Sequence, residues 1–489
     1  MEDGTGMNKI SCLMDFTAKN ILRIVMGIVF FIGLVIKPMY NFDDSPYFEL
    51  ITSYDVICGL VILGISYVMY RFRNLIQEKV RYIYGFVVFM FVALLFIYFV
   101  PLTPFSDMRY IYESALQFSK LNWTELMQGD YWQMFSSNLY LGVFWGILLL
   151  PFPKTLVTMK VLNALFAYGI IFFTAKIAES YHCKYNKVIY VYLIQFMPLI
   201  LYINHIYCEM PFIFLCTLAI YLYKSKDKII LAGVILGIAR YLRSNATIFL
   251  LAMCFDIIFK IMKSGSYKTS KKNILRIGLM ILLFNVIFSS GLRIVKENFI
   301  GYDVKSYPKW NQFYIGINEE EFGFMNGDFS YERSLDDVIQ RVEEYGPIRL
   351  TKIFAQKIHW TWMQGTYQAQ RYGFGLDVDN ALDKFEYETF MTKYLCKDTQ
   401  IVRKIINASM RAQYMILFAG MLIVLWTKKG INNFRVLYYI IIATMLILII
   451  YEMKSRFILH CLPLMAVLAC ISIEYFETKN SIEGEKNLK

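Results

Sequence analysis

One carboxylate of this chain stands at the edge of a long apolar segment, where a charged group is costly and tends to have a function. It is Asp107, in the sequence SDMRYIYESAL, which directly follows the third apolar segment. A carboxylate that lies close to a hydroxyl group in a partly desolvated site can act as a general base. The alternative is that Asp107 only caps a helix that begins near Met108. Asp107 is therefore the candidate for the catalytic base, with helix capping left open.

Three arginines at the ends of later apolar segments are candidates for binding a phosphate. Arg240 and Arg243 are spaced i, i+3 in AGVILGIARYLRSNATIFLLA, and Arg456 stands at a segment entrance in EMKSRFILHCLP. The guanidinium group matches phosphate oxygens in a fork geometry. Alternatively, Arg240 and Arg243 snorkel to the membrane interface, and Arg456 only pairs with Glu452 at i, i+4.

Other polar residues near these positions are candidates for lining a substrate pocket. Arg109 and Glu113 are spaced i, i+4 and could instead pair with each other. The turn YINHIYCEMPFIF could be an ordinary interfacial turn with a tyrosine belt. Asp130 is a second carboxylate, but its sequence GDYW favours a turn. The pocket candidates are Arg109, Tyr110, Glu113, Asn138, His205, Tyr207, Glu209, Asn245, Asn318 and Glu452.

Several other kinds of site are disfavoured by the sequence. No P-loop, GxSxG, HExxH or Rossmann pattern occurs. Asp328 and the nearby run of glutamates lack the spacing of a calcium loop, and the cysteines stand singly, so we expect neither a metal site nor a cofactor. The net charge of +12 comes from short basic clusters between apolar segments, which indicates membrane-protein loops and no nucleic-acid partner.

The elements that must position these residues are membrane helices. Of the 489 residues, 57% are hydrophobic and 18% are charged, which is too much apolar surface for a soluble protein. The sequence therefore predicts an all-α polytopic membrane protein in the lipid bilayer. Apolar segments fall near residues 21–39, 51–70, 82–101, 139–151, 157–177, 187–204, 210–224, 229–243, 246–263, 274–293, 412–427, 433–451 and 456–475.

The basic clusters between the segments orient them, because cytoplasmic loops carry an excess of Lys and Arg. All the basic clusters lie in cytoplasmic loops only if one early apolar segment does not cross the membrane. Segment 139–151 is the candidate, because it is short and ends at Pro151. We expect it to be a re-entrant or interfacial helix in the first large external loop. About 12 transmembrane helices with both termini inside follow from this arrangement.

The predicted topology divides the chain into four regions. Residues 1–293 form an N-terminal transmembrane module, whose external loop 102–156 holds the candidate base. Residues 294–411 are mixed in charge and long enough for a small extracytoplasmic domain. Residues 412–475 are the C-terminal transmembrane helices, and 476–489 are a cytoplasmic tail.

The motifs occur in an order that resembles the bacterial GT-C superfamily of membrane glycosyltransferases. They are SDMRYIYESAL, FSSNLYLGVFWGILL, IYCEMPF, the glycine- and arginine-containing stretch at 233–245, YIGIN, and EMKSRF with its later LP. The resemblance covers most of residues 82–475 and is closest to the family 39-like branch of protein O-mannosyltransferases and aminoarabinose transferases.

This resemblance implies a function. The donor would be a polyprenyl-phosphate sugar, and an inverting, metal-independent transfer would occur on the extracytoplasmic face of the plasma membrane. The acceptor would be an envelope glycan, lipid or protein. Asp107 would deprotonate the acceptor hydroxyl, and Arg243 and Arg456 would hold the donor phosphate.

The chain also departs from the family pattern. Ser244 stands where many relatives have proline, and Met108-Arg109 follows Asp107 where many have a second acid. The first loop lacks the paired acids of metal-dependent oligosaccharyltransferases. Two alternatives stay open: a polysaccharide polymerase or ligase that uses a diphosphate-linked oligosaccharide, and a flippase for lipid-linked sugars. A flippase favours polar residues at mid-membrane in paired halves, whereas here they gather at the outer edge.

Overall fold

The chain folds into a nearly all-α bundle in the computed structural model. The structure describes residues 3–40, 45–121, 131–132, 135–264, 267–295, 310–324, 330, 332–376, 384–396, 400–427 and 434–486. The helices are α1 (Asp3–Gly33), α2 (Ser53–Arg71), α3 (Arg73–Lys79), α4 (Tyr82–Phe99), α5 (Asp107–Ser119), α6 (Ser136–Leu149), α7 (Leu156–Ser180), α8 (Asn186–Ile194), α9 (Met197–Leu201), α10 (Glu209–Ser225), α11 (Ile229–Leu242), α12 (Ala246–Ser264), α13 (Tyr267–Val295), α14 (Asn311–Gly316), α15 (Leu335–Met363), α16 (Ala369–Phe374), α17 (Phe390–Tyr394), α18 (Gln400–Trp426), α19 (Arg435–Ile450) and α20 (Leu462–Lys486).

Short elements join some of these helices. Two 3₁₀ helices, Tyr202–Asn204 and Ser455–Cys461, precede α10 and α20. Strands β1 (Ile36–Tyr40) and β2 (Pro46–Leu50) form an antiparallel hairpin after α1, with Ile36 opposite Leu50.

Seven helices in the described part of the chain are long and apolar enough to cross a membrane. An eighth candidate is α8 and α9 taken together with the following 3₁₀ turn, which bend by 51° at their break. The prediction of a polytopic membrane protein is confirmed in this coarse form, and the count of 12 crossings stays a prediction. The remaining apolar helices are shorter or carry more charge than these seven; α11, for example, has 14 residues and is about 21 Å long.

Helices α5 and α6 pack against each other as a hairpin through glycine. A Cβ atom on Gly142 would approach Ser114 Oγ, and one on Gly146 would overlap Phe118. With 14 residues, α6 is about 21 Å long and shorter than the hydrocarbon core. The packing fixes the start of α5, where Asp107 lies, relative to the start of α6.

The predicted domain 294–411 contains α14 to α17 and the start of α18. Helix α15 breaks at Gly346, whose φ of 64° is followed by Pro347. Its second half packs on α1, β1 and α19, so the region rests on the ends of apolar helices. Within the predicted tail 476–489, α20 continues as helix to Lys486.

A buried charge network ties α1 to α19 at the end where α19 begins. Asp15 accepts a bifurcated hydrogen bond from Arg435 Nε, at 3.0 Å to Oδ1 and 2.8 Å to Oδ2, and one hydrogen bond each from the hydroxyls of Tyr438 and Tyr439. Charged groups in hydrocarbon persist when they are paired and hydrogen-bonded. This network therefore stabilises one end of the bundle, and the candidate residues lie at the other end.

Candidate functional site

Most of the predicted site residues gather around one cavity of about 640 Å³. The cavity lies where α5 and α10 begin and where α11 and α19 end. Each of these helices carries its polar cavity residue at one terminus, so the middle of α10, α11 and α19 remains apolar. The charged and amide side chains on the wall are Asp107, Asn138, Glu209, Arg240, Arg243, Asn245, Gln312, Glu452, Lys454 and Arg456.

Asp107 is the first residue of α5 and does not occupy the capping position. That position belongs to Ser106, which makes no side-chain cap bond. Ser106 has φ of 50°, a left-handed conformation that costs a residue other than glycine about 1–3 kcal/mol. The carboxylate of Asp107 instead accepts a hydrogen bond from Tyr131 Oη at 3.0 Å. The bond from Tyr131 thus holds the Asp107 carboxylate at the cavity wall.

A chain of hydrogen bonds leads to Asp107 from the far side of the cavity. Tyr207 Oη donates to Asn138 Oδ1 at 3.0 Å, and Asn138 Nδ2 donates to Tyr131 Oη at 2.6 Å. The backbone of Tyr207 is itself held, because Trp145 Nε1 donates to its carbonyl at 3.3 Å. The chain connects the loop before α10 with the hairpin of α5 and α6.

Glu209 is a buried carboxylate between two arginines. Its Oε1 lies 3.6 Å from Arg243 Nη1 and 3.8 Å from Arg456 Nε, and its side chain is only 2% exposed. His205 Nε2 lies 3.5 Å from Oε2 of the same carboxylate. Burial lowers the pKa of His205 to about 3, so the imidazole is neutral. The two arginines therefore balance the charge of Glu209.

Both arginines are held by aromatic rings as well as by charge. The guanidinium carbon of Arg456 lies 5.4 Å from the ring centres of Tyr207 and Tyr372, and that of Arg243 lies 4.4 Å from the ring of Phe457. Within the described residues, Arg456 Nε and Glu209 Oε1 are buried and have no hydrogen-bond partner. An anion in the cavity can use this donor capacity.

Arg240 and Lys454 bring further positive charge to the wall. Arg240 donates from Nη1 to Asn285 Oδ1 at 3.0 Å, and its guanidinium lies 4.1 Å from the ring centre of Phe288. Lys454 Nζ lies 3.4 Å from Glu452 Oε1. Glu452 thus pairs with Lys454, whereas the alternative left open by the sequence was a pair with Arg456.

Five of the pocket candidates do not line the cavity. Arg109 and Glu113 form an exposed pair at 2.8 Å, and Tyr110 stacks on Tyr131 with ring centres 3.7 Å apart. His205 is buried behind Glu209. Asn318 holds a turn by accepting from the backbone of Glu320. The remaining candidates all lie on the wall, and Asp130 lies outside the described residues.

The sequence reasoning missed several residues at the site. Tyr131 follows the glycine and aspartate that favoured a turn, and no local pattern marks it as the partner of Asp107. Tyr372 contacts Arg456 from a segment far along the chain. Lys454 and Gln312 also reach the wall. The sequence could have pointed to Lys454 as a site residue, since it belongs to the charged cluster EMKSRF.

Part of the cavity wall is apolar. Phe288 and Leu292 come from α13, Ile248 comes from α12, and Ile447 and Leu448 come from α19. A cavity with charged side chains on one part of its wall and apolar side chains on another suits an amphiphilic ligand. Among the described residues, no group of three or more His, Cys, Asp or Glu side chains could hold a metal ion.

Comparisons with protein-family models, curated proteins and solved structures each returned no match to this chain. The resemblance to the GT-C superfamily therefore stays a prediction.

Proposed function

We propose that this protein is an integral membrane glycosyltransferase of the GT-C type, which moves a sugar from a polyprenyl-phosphate donor to a cell-envelope acceptor. The observation that carries the proposal is the single cavity that brings Asp107 together with Arg243 and Arg456 above an apolar wall. A base, a phosphate-binding pair and a surface for a prenyl chain are the parts that this transfer requires.

The reaction follows from these groups. The acceptor hydroxyl attacks the anomeric carbon from the face opposite the phosphate, so the configuration inverts. Asp107 takes the hydroxyl proton while the bond between the anomeric carbon and the phosphate oxygen breaks. The electron pair leaves with polyprenyl phosphate, and Arg243 and Arg456 stabilise the charge that develops there. This chemistry needs no metal ion.

The charge balance of the wall favours a monophosphate donor. Among the wall residues that the structure describes, four cationic side chains, Arg240, Arg243, Lys454 and Arg456, face three anionic ones, which leaves one positive charge in excess. A sugar phosphodiester carries one negative charge and neutralises it. When the base takes the proton, the wall gains one positive charge and the leaving phosphate gains one negative charge, so the balance is kept. A diphosphate donor leaves one negative charge uncompensated at the start.

The topology supports an extracytoplasmic site. Helix α11 begins beside the basic cluster Lys224, Lys226 and Lys228 and ends at the cavity with Arg243. Basic loops are cytoplasmic as a rule, so the cavity faces outside in the plasma membrane. Twelve crossings result if the bent pair and α10, α11, α12 and α19 each cross, in addition to the seven long helices.

The test uses membranes with wild-type protein or Asp107→Asn. Radiolabelled polyprenyl-phosphate sugars are supplied, and both transfer of label and release of polyprenyl phosphate are followed. We expect Asp107→Asn to lower turnover by about 10²–10⁴-fold while the donor still binds. Glu113→Gln is the matched control, because this carboxylate lies on the same helix but in the exposed pair with Arg109. It should keep wild-type turnover.

Other outcomes point to the alternatives. Turnover of a diphosphate-linked oligosaccharide, with none from any monophosphate donor, would identify a polymerase or ligase. Movement of a lipid-linked sugar across vesicles without release of polyprenyl phosphate, and with Asp107→Asn still active, would identify a flippase.

A further inference from the structure

The hydrogen-bond chain that ends on Asp107 has a single direction. Tyr207 donates to Asn138, Asn138 donates to Tyr131, and Tyr131 donates to Oδ1 of Asp107. Tyr131 is thus held by Asn138, and Asn138 by Tyr207, so the chain fixes the hydroxyl from which Asp107 accepts.

Only one oxygen of Asp107 is engaged. Within the described part of the chain, the only hydrogen bond to its carboxylate is the one that Tyr131 donates to Oδ1. Asp107 lines the cavity, so Oδ2 is the oxygen that remains for a ligand. A carboxylate rotates readily about its last side-chain bond, and one held oxygen removes that freedom.

We propose that Tyr131 is a positioning residue that holds Oδ1 of Asp107 and leaves Oδ2 to take the proton of the acceptor hydroxyl. This inference rests on the proposed function, because it assigns a role within that reaction. The position of Tyr131 is itself fixed: its ring stacks on Tyr110 at 3.7 Å and 7°, and its edge meets Trp132 at 5.1 Å.

The hydrogen-bond chain that ends on Asp107 also extends toward the arginines proposed to bind phosphate. Tyr207 starts the chain with its hydroxyl, and its ring lies 5.4 Å from the guanidinium of Arg456. One side chain thus contacts a residue that would hold the donor and one that helps to orient the base. The distance between donor and acceptor sites is set through packed side chains, which suits a transfer that needs near-contact geometry.

The first test compares Tyr131→Phe with Tyr110→Phe. Tyr131→Phe keeps the ring and its stacking but removes the hydroxyl that Asp107 accepts. We expect kcat to fall about tenfold, as for loss of one hydrogen bond in the transition state, with the donor KM unchanged. Tyr110→Phe keeps the same stack and should keep kcat. Equal kcat values in the two variants, or a change in donor KM alone, would overturn the proposal.

A double variant tests whether the residues act as one chain. Asn138→Leu removes the donor to Tyr131 and should lower kcat less than Tyr131→Phe does. If both act through Asp107, the double variant should be no slower than Tyr131→Phe alone. Multiplying effects would mean that Asn138 acts independently of Tyr131 and that the two residues do not act as one chain.

A labelling experiment separates this inference from the proposed function. A water-soluble carbodiimide reacts with carboxyl groups that it can reach, and peptide mass spectrometry reads the rate of labelling at Asp107. Tyr131→Phe should speed this labelling several-fold at fixed pH, because the carboxyl group is no longer held by the Tyr131 hydroxyl and can turn toward the reagent. Tyr110→Phe should leave the rate unchanged. If wild type transfers no sugar from any donor, the proposed function fails, while equal labelling rates in both variants defeat the positioning role.

Discussion

Removal of the buried carboxylate of Glu209 should destabilise the protein and, at the same time, strengthen its response to phosphate. In Glu209→Gln the shape of the side chain is kept and only the charge is lost. Arg243 and Arg456, 3.6 and 3.8 Å from Oε1, then face each other without a counter-charge. His205 cannot compensate, because burial keeps it neutral.

The magnitude follows from these distances. Each arginine attracts the carboxylate by about 4–5 kcal/mol at an effective dielectric constant near 20. The substitution also removes the cost of burying the carboxylate, so the two attractions do not simply add. Breaking a buried ion pair from one side costs about 3–5 kcal/mol, and we expect a loss in this range.

The assay is thermal unfolding in detergent, with and without inorganic phosphate. Without phosphate, Glu209→Gln should unfold several degrees below wild type, and Glu209→Asp should lie between them. Phosphate should raise the unfolding temperature of Glu209→Gln more than that of wild type, since it binds only the folded cavity. Glu179→Gln is the control, because its half-exposed pair with Lys176 contributes only about 0–1 kcal/mol. If Glu209→Gln unfolds like this control and shows no added response to phosphate, Glu209 does not balance the arginines.

Two further outcomes are expected. Gly142→Val should push α6 away from α5, because a Cβ atom there meets Ser114, and should lower sugar transfer together with thermal stability, whereas Gly59→Val in open space should change neither. Burial lowers the pKa of Lys357 to about 7, so between pH 7 and 9 the unfolded chain binds a proton that the folded chain does not. The free energy of unfolding of wild type relative to Lys357→Met should therefore rise by up to about 1.4 kcal/mol per pH unit over that window, and a flat difference would show that Lys357 does not titrate there.

Sequence spacing could predict which residues reach the cavity because helix ends are set by the length of apolar segments. Arg243 and Glu209 stand at such ends, and both line the wall. Sequence spacing did not predict the position of a side chain that had a nearer polar partner than the cavity. Arg109 and Glu113 satisfy each other, and Asn318 satisfies its own turn. In these cases a local hydrogen bond or ion pair competes with the cavity, and the sequence alone does not rank the two.

The crossing count was less predictable for a related reason. Apolar composition marks a helix but does not decide whether it is long enough to span, and α11 and α19 contain 14 and 16 residues. Tyr131 shows the same limit at the level of one side chain. Its hydroxyl serves Asp107 only because the hairpin of α5 and α6 brings the two together across 24 residues of sequence.

The two ends of the helix bundle use charge differently, and the difference argues for a ligand at the cavity. At the end away from the cavity, Arg435 and Asp15 lie 2.7 Å apart, and the Asp15 carboxylate accepts further hydrogen bonds from two tyrosine hydroxyls. At the cavity, Glu209 and its arginines stand 3.6–3.8 Å apart with buried polar atoms left over in the described structure. A network that serves only stability closes its hydrogen bonds, because each open one is costly. The open spacing leaves Arg456 Nε able to donate to an anion such as the phosphate of the proposed donor.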